Sequence, residues 1–398
     1  MRNRCSPRRQ FLVHAGRAAL ATTVFSSLAC SRRREAQDTR VDASSPDPAA
    51  APIAELEKRI PGWMAEASVP GLSIAFIKDA KLVWSGGFGI ADVRSQVPID
   101  TATIFDVGSV SKTVFAYAVM QLVERKVLGL DAPLTSYTDE PFLSGDERLS
   151  RMTARHVLSH SGGFQNWRSE RAPLRIHFEP GEQYLYSGEG YSYLQSVVTT
   201  LTGRRDPTDC ARFEAGVEVC STDFDAFMRT SVLAPLGMTS SGYLLDGTAP
   251  ERFAAPHDER GQRLDRSVSA PAVSVARYGA AGGLKTTPAD YARFLIDVID
   301  PRPGDAFRLE PETVKEMLRP HVKLPPPAQP PASYALGWQI WHFETDDIIN
   351  HGGDNLGFRA FAAASVERKS GFVVMMNGNN GFRVLDRLLT DDNIGYVV

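Results

Sequence analysis

The chain has 398 residues, of which 43% are hydrophobic and 23% charged, a composition typical of a globular protein with one large domain or two closely packed ones. Its formal net charge is −3, but residues 1–40 carry nine arginines against Glu35 and Asp38, so a local charge of +7 leaves −10 for the remainder (−3 minus 7). A mildly acidic body gives no indication of nucleic-acid binding, and we expect no nucleic-acid partner.

The N-terminus predicts an export signal over residues 1–30. SPRRQFL (6–12) resembles the twin-arginine signal, and the uncharged apolar run at 18–29 is too short to span a bilayer. The box LAC (28–30) is similar to part of a lipoprotein cleavage site, although Ser27 stands where Leu is usual. We therefore expect a periplasmic or cell-envelope location, with two alternatives: membrane anchoring through a lipidated Cys30, or plain export.

Residues 31–54 are rich in Ala, Pro, Asp and Ser and lack apolar periodicity, so they predict a disordered linker. Beyond it, Cys210 and Cys220 lie ten residues apart in a polar insert. In an oxidising compartment we interpret them as a loop-closing disulfide, with two buried free thiols as the alternative. Neither has a C-x-x-C partner or a nearby His, so the sequence predicts no metal or redox site there.

Strand patterns lie at both ends of the body and helix patterns between them. A short helix is expected to stop at Pro61, and residues 71–89 predict a hairpin. Residues 109 to about 126 predict a helix that starts at or next to Ser109. Further helices are expected at 190–203, 223–238, 286–298 and 384–389, a polyproline-like loop at 320–333, and four short strands in meander order over 334–378.

This order predicts an α/β (α+β) fold in which the N- and C-terminal segments form one antiparallel sheet flanked by helices, with a mostly helical domain inserted. The expected sheet domain comprises residues 55–108 and 291–398, and the helical domain residues 109–290. We found no internal repeat.

SVSK (109–112) is the only Ser-x-x-Lys in the chain. Positions i and i+3 of a helix share a face, so the Lys112 amine can reach the Ser109 hydroxyl. Desolvation near a helix N-terminus would lower the pKa of Lys112 and let it accept a proton. The alternative is a capping serine beside a solvated lysine, and the spacing alone does not decide.

Six segments taken together favour the catalytic interpretation of Ser109 and Lys112. They are SVSK, MTARHVLSHSGGF (152–164), PGEQYLYSGEGY (180–191), VLAPLGM (232–238), AAGGLKTTPADYARFL (280–295) and HGGDNLGFR (351–359). In this order they resemble the superfamily of serine beta-lactamases and penicillin-binding proteins. The resemblance is strongest to the branch with class C beta-lactamases, family VIII esterases and D-aminopeptidases. It covers roughly residues 55 to 380 and implies that family's fold.

The resemblance also implies roles. Ser109 would be the acylated nucleophile, with Lys112 and Tyr186 exchanging its proton, and His351 would stand at the family's third motif and pass a proton or stabilise the phenolate. The Ser109 amide and the Asp354 amide would form the oxyanion hole, and Gly353 would let the substrate backbone approach. No cofactor or metal is implied, and the partner would be a small ester, amide or peptide. Oligomeric state stays open.

Two departures narrow the expected substrate. Gly188 stands where the family's Tyr-x-Asn motif has an amide that holds substrate, and His351 stands where lactamases carry lysine; only a protonated His351 would replace that cation. Both changes favour an ester or a D-amino-acid amide or peptide. A beta-lactamase or D-alanyl-D-alanine carboxypeptidase is the first alternative, and a penicillin-recognising binding module without turnover is the second. The loop Phe164–Trp167 is expected to line the pocket.

A zinc site is a rival interpretation of HVLSH, because His156 and His160 are four residues apart. Zincins need Glu at the position of Val157, so we predict no metal. The chain has no Gly-x-Ser-x-Gly elbow and no phosphate-binding loop of the Walker type.

Overall fold

The computed structural model describes residues 50–397 apart from 139–140, 204–216, 267–271, 303, 327 and 329. The predicted export signal, including Cys30, and residues 31–49 of the predicted linker lie outside this part of the chain. So does Cys210, and only the backbone of Cys220 is described. The signal, the lipid anchor and the disulfide therefore stay predictions.

An eight-stranded antiparallel sheet is built from both ends of the chain, which confirms the predicted fold class. Its strands are β1 (Gly71–Lys78), β2 (Lys81–Gly89), β5 (Val322–Lys323), β6 (Ala332–Tyr334), β7 (Gln339–His342), β8 (Asp347–Asn355), β9 (Phe358–Ser365) and β10 (Ser370–Met376). The order is β2-β1-β10-β9-β8-β7-β6-β5, so the N-terminal hairpin joins the C-terminal meander through β1 and β10. A separate pair, β3 (Phe105–Asp106) and β4 (Lys285–Thr286), lies close to the predicted nucleophile.

Period-two alternation places both faces of β1 in a hydrophobic core. Leu72, Ile74 and Phe76 pack on one face with the terminal helices, while Ala75 and Ile77 join a larger core on the other face with the central helices. The turn between β1 and β2 has Asp79 and Ala80 at φ near +50°, as a two-residue hairpin of the primed type requires. The sheet is therefore a buried, rigid support for its edges.

The helices lie on both sides of the sheet and in the stretch predicted to be helical. They are α1 (Ala50–Ala67), α2 (Ser111–Glu124), α3 (Ala154–Leu158), α4 (Gly188–Thr202), α5 (Val217–Met228, continued by a π-turn at Arg229–Leu233), α6 (Ala272–Gly282), α7 (Pro288–Ile299), α8 (Pro311–Leu318), α9 (Gly381–Leu389) and α10 (Asp392–Val397). Short 3₁₀ turns lie at Gly108–Val110, Leu134–Ser136, Glu147–Arg151 and Pro250–Arg252. Helix α7 confirms the helix expected at 286–298, and its start is fixed because the Thr287 hydroxyl accepts from the Asp290 N–H and Pro288 follows the cap.

Four local predictions were wrong. Helix α1 begins at Ala50, inside the predicted linker, and it continues through Pro61 to Ala67. An internal proline costs a helix about 3 kcal/mol, but burial of Met64 and Ala67 in the core offsets that cost. The segment from Tyr334 is not one strand, since β6 ends there and β7 begins at Gln339 after a tight turn. The proline-rich loop also contains the short strand β5.

None of the described helices is long and apolar enough to cross a bilayer.

Candidate active site

The predicted nucleophile lies in a tight turn pressed against the sheet. Ser109 is the middle residue of the 3₁₀ turn Gly108–Val110, and α2 begins directly after that turn at Ser111, two residues beyond Ser109. Two glycines permit the close approach: a Cβ on Gly108 (φ +49°) would lie 3.1 Å from the Asp354 backbone, and one on Gly353 would lie 2.0 Å from the Val107 carbonyl. The turn is therefore fixed beside the end of β8.

Lys112 is fully buried and bonded to Ser109. Its Nζ lies 3.1 Å from the Ser109 Oγ and 2.6 Å from the Ala281 carbonyl oxygen, to which it donates. Burial lowers the pKa of Lys112 to about 7, because the ammonium ion loses its hydration. Near neutral pH a large fraction of this lysine is an unprotonated amine, which can accept the proton of the serine.

Tyr186 completes the group of three. Its ring centroid lies 4.9 Å from the Lys112 Nζ. Burial raises the pKa of the Tyr186 phenol, and a hydrogen bond with Ser109 only partly opposes that rise. The structure thus brings Ser109, Lys112 and Tyr186 together, with the phenol in its neutral form.

His351 lies in the cavity wall but bonds elsewhere. Its Nδ1 faces the Gly352 carbonyl oxygen at 2.7 Å and so carries the proton, while its Nε2 accepts from the Tyr334 hydroxyl at 2.8 Å. Burial, and then the charge of Lys112, lower the pKa of His351 to about 3. The imidazole is therefore neutral, and the idea that a protonated His351 replaces the missing lysine is wrong for the free protein.

The two histidines considered as zinc ligands have other partners. His156 lies in the capping box of α3, and His160 follows the end of α3 with φ +56°. The Nδ1 of His160 accepts from the Ser187 N–H at 3.0 Å, and its ring lies 4.2 Å from that of Tyr186. His160 thus supports the segment that carries the phenol. In the part of the chain that is described, no three His, Cys, Asp or Glu residues form a metal-binding group.

Gly188 begins α4, and an indole occupies the space that a side chain there would need. A Cβ on Gly188 would lie 2.2 Å from the Trp167 ring. The Gly188 N–H donates to the Oδ1 of Asn166 at 2.9 Å, which fixes that amide. Both loop residues line the cavity. The Trp167 ring therefore takes the space of a side chain at Gly188, and Asn166 of the same loop adds an amide to the cavity wall.

The register of β8 places the second predicted oxyanion amide. The hairpin from β8 to β9 closes on the pair Asn355 and Phe358, so the next pair inward is Asp354 with Arg359. Hydrogen-bonded and non-hydrogen-bonded pairs alternate along an antiparallel ladder, and a two-residue turn closes on a hydrogen-bonded pair. The Asp354 N–H therefore points away from β9, at the edge where Gly108 makes its close approach.

These side chains surround a cavity of about 490 Å³. The turn, the phenol and the glycine-rich strand line it as the sequence predicted, whereas Tyr334 was not predicted and Asn166 had no predicted position. Tyr334 begins a segment whose alternation indicated only a strand, and nothing local marked it as a partner of His351. The Phe164–Trp167 loop was expected at the pocket, and its aromatic and amide composition was the only available signal.

A serine activated by a desolvated lysine, on a helix packed against an antiparallel sheet, is the arrangement of a beta-lactamase-like serine hydrolase. The chain belongs to the Beta-lactamase family, whose model matches residues 56–393. Among curated relatives, it is 23% identical to the unguisins hydrolase ungD of Aspergillus violaceofuscus (88% of this chain, 67% of that protein). It is 21% identical to Protein flp of Staphylococcus aureus strain NCTC 8325 / PS 47 (79% of this chain, 61% of that protein).

Solved structures share the fold. The octameric penicillin-binding protein homologue from Pyrococcus abyssi matches with a TM-score of 0.67 and 24% identity over 87% of this chain and 79% of that one. The D-alanine carboxypeptidase AmpC from Burkholderia cenocepacia matches with a TM-score of 0.65 and 18% identity over 85% of this chain and 99% of that one. This chain spans between 61 and 67% of the length of the two curated relatives above.

Proposed function

We propose that the protein is an exported serine hydrolase that forms an acyl-enzyme at Ser109 and cleaves esters or short D-amino-acid amides or peptides. The observation that carries this proposal is the contact between Lys112 and Ser109. An amine with a pKa of about 7 lies 3.1 Å from the hydroxyl, within reach for direct proton transfer.

The chemistry follows from the two pKa shifts. The unprotonated Lys112 amine takes the Ser109 proton as Oγ bonds to the substrate carbonyl carbon. Tyr186 holds its proton because burial raises its pKa, so it donates to the departing alcohol or amine and recovers a proton from Lys112. Water then attacks the acyl-enzyme by the same steps in reverse, and the acid leaves.

The negative charge on the attacked oxygen needs donors that are already in place. We propose the N–H groups of Ser109 and Asp354 as these donors, because Gly108 and Gly353 bring the backbone of the turn against the end of β8. Removal of one such donor typically costs a factor of about 10²–10³ in rate. Backbone donors cannot rotate away, which suits them to this role.

The wall around Ser109 favours a substrate that needs no cation at the third motif. His351 is neutral and hydrogen-bonded to Tyr334, so it offers no charge to a beta-lactam or D-Ala carboxylate. One similar protein is named a hydrolase of unguisins and one fold neighbour a D-alanine carboxypeptidase, and neither name mentions a lactam. Both facts support an ester or peptide substrate over a lactam.

The test is acylation and turnover with Ser109→Ala as the control. We expect hydrolysis of a 4-nitrophenyl ester to fall by at least roughly 10³-fold in the variant. A fluorophosphonate should add mass to the unaltered protein and not to the variant. Hydrolysis of a chromogenic cephalosporin or a D-Ala-D-Ala peptide at a rate that rivals the ester would overturn the substrate ranking. A penicillin adduct that persists for hours without ester turnover would indicate a binding module.

Export is tested on the same protein. Intact mass of the product made in its native host should show loss of about the first 30 residues, and a mass increase at Cys30 would reveal a lipid. An unprocessed N-terminus in a cell fraction that carries the activity would contradict export.

A further inference from the structure

A second cavity of about 340 Å³ adjoins the catalytic one. We call it the side cavity; its charged lining residues are Asp106, Arg266 and Lys285. It shares three wall residues with the catalytic cavity: Trp167, Gly282 and Asn355. Tyr186 and His351 line the catalytic cavity and do not line the side cavity. The two cavities, which meet at Gly282, therefore offer a ligand different side chains.

Lys285 is the unusual member of the side cavity. Lys285 is 3% exposed. It lies on β4 directly opposite Asp106 on β3. Directly paired residues of antiparallel strands project their side chains to the same face, so Lys285 faces the cavity together with the carboxylate. Its backbone N–H and carbonyl are bonded to Gly242, which fixes the base of the side chain.

The Asp106 carboxylate is already used by other donors. It accepts from the Gly108 N–H at 3.1 Å, from the Asn355 Nδ2 at 2.8 Å and from Arg266 at 3.2 Å. Within the described residues the Lys285 amine donates no hydrogen bond and has no carboxylate within 4.0 Å. The cavity therefore holds two cationic side chains and one carboxylate. Asp106 and Asp225 favour the charged amine of Lys285 only through space, and burial and the charge of Arg266 oppose them.

Such a lysine is costly unless something binds it. Burial lowers the pKa of Lys285, which shows that the ammonium form lacks full compensation. Native proteins pair buried charges, and an anion placed in this cavity would complete the set of partners that the fold itself leaves open.

We propose that the side cavity binds a carboxylate carried by the acyl part of the substrate that Ser109 attacks. This inference rests on the proposed function. Gly282 lines both cavities without a side chain between them, and a Cβ there would lie 3.6 Å from the Gly108 backbone, at ordinary contact distance. We assign the carboxylate to the acyl part and not to the leaving group for one reason. Tyr186, which protonates the leaving group, does not line the side cavity.

The experiment compares matched substrates. One series is the mono-4-nitrophenyl esters of succinic, glutaric and adipic acids, and the other is neutral 4-nitrophenyl esters of equal chain length. At one length or more we expect the acid to have about tenfold or higher kcat/KM, mainly through a lower KM, because hydrogen bonds to charged groups are the strong ones. In Lys285→Met the preference should fall to about twofold or less, as it should in Gly282→Val, which blocks the passage.

Controls separate the possible failures. Lys315→Met, at an exposed lysine on α8, should keep the preference. Esters with the carboxylate on the leaving phenol should show none. Equal kcat/KM for acid and neutral esters at every length, or a preference that survives both Lys285→Met and Gly282→Val, would overturn the inference. Sulfate that competes with neutral esters only when Lys285 is present, without any preference for acid esters, would show a free-anion site and overturn it too. Activity that survives Ser109→Ala would instead refute the proposed function.

Discussion

The two buried lysines beside the cavities differ in their partners rather than in their burial. Lys112 donates to the Ala281 carbonyl and lies 3.1 Å from the Ser109 hydroxyl, whereas Lys285 makes no hydrogen bond through its amine within the described residues. Lys112 is fully buried and Lys285 is 3% exposed. Burial lowers the pKa of both amines.

The difference shows how the same residue type can serve two purposes. A desolvated amine held against a hydroxyl is a base, because its neutral form is populated and its lone pair has a proton to accept. A desolvated amine that lines a polar cavity without a hydrogen bond favours an anion there, because Asp106 and Asp225 compensate its charge only in part. One substitution, Lys to Met, therefore tests both assignments at similar side-chain volume.

The largest effect should come from Lys112→Met. Loss of a general base lowers rates by about 10²–10⁴, so we expect kcat/KM for a neutral nitrophenyl ester to fall by that factor. Lys285→Met should instead change the ratio between acid and neutral esters. Steady-state kinetics on both variants with one substrate pair makes this comparison. A fall of less than about fivefold in Lys112→Met would remove the lysine from the proton-transfer step.

The pH profile gives an intermediate effect and separates Lys112 from His351. Only the unprotonated amine accepts a proton, so kcat/KM should fall about tenfold per pH unit below the Lys112 pKa of about 7 and level off above it. His351, with its pKa lowered to about 3, contributes nothing in this range. His351→Gln should therefore lower the rate yet leave the midpoint near pH 7.

The control for that profile is Tyr334→Phe, which removes the partner of His351 and should behave like His351→Gln. An acid limb that disappears in His351→Gln would show that the histidine is the titrating group and would contradict the assignment of the base to Lys112.

The parts of this site that depend on residues close together in the sequence could be predicted. The i, i+3 spacing of Ser109 and Lys112 predicted their contact, and the motif order gave the fold and the position of Tyr186. Helix α7 and the hairpin over residues 71–89 could also be predicted, because their signals lie within a few residues of one another. All of these depend on short stretches of chain or on the family resemblance.

The rest depended on long-range packing. Trp167 fills the space beside Gly188 because a loop some twenty residues earlier folds across the start of α4. Lys285 lies within the segment 280–295, but the lack of a hydrogen bond at its amine depends on Asp106 accepting from Arg266 and Asn355. These two residues lie 160 and 249 positions from Asp106 in sequence. The helix through Pro61 shows the same limit, since tertiary burial overrode a local stop signal.

The smallest expected effect is on thermal stability. Here Lys285→Met should change Tm more than Lys112→Met, which is the reverse of their expected effects on the rate. The pKa of Lys285 is lower in the folded than in the unfolded state, so at neutral pH the unfolded chain binds the proton more tightly and stability rises as pH approaches 10.5. Lys285→Met removes this penalty, and we expect its Tm at pH 7 to rise by about 1–4 °C. Lys112→Met should gain less, because it leaves the Ala281 carbonyl without its donor. Scanning calorimetry measures both. A Tm of Lys285→Met several degrees below that of the unaltered protein would mean that the fold itself supplies a partner for the amine, and the lysine would then have no counter-charge left to seek from a substrate.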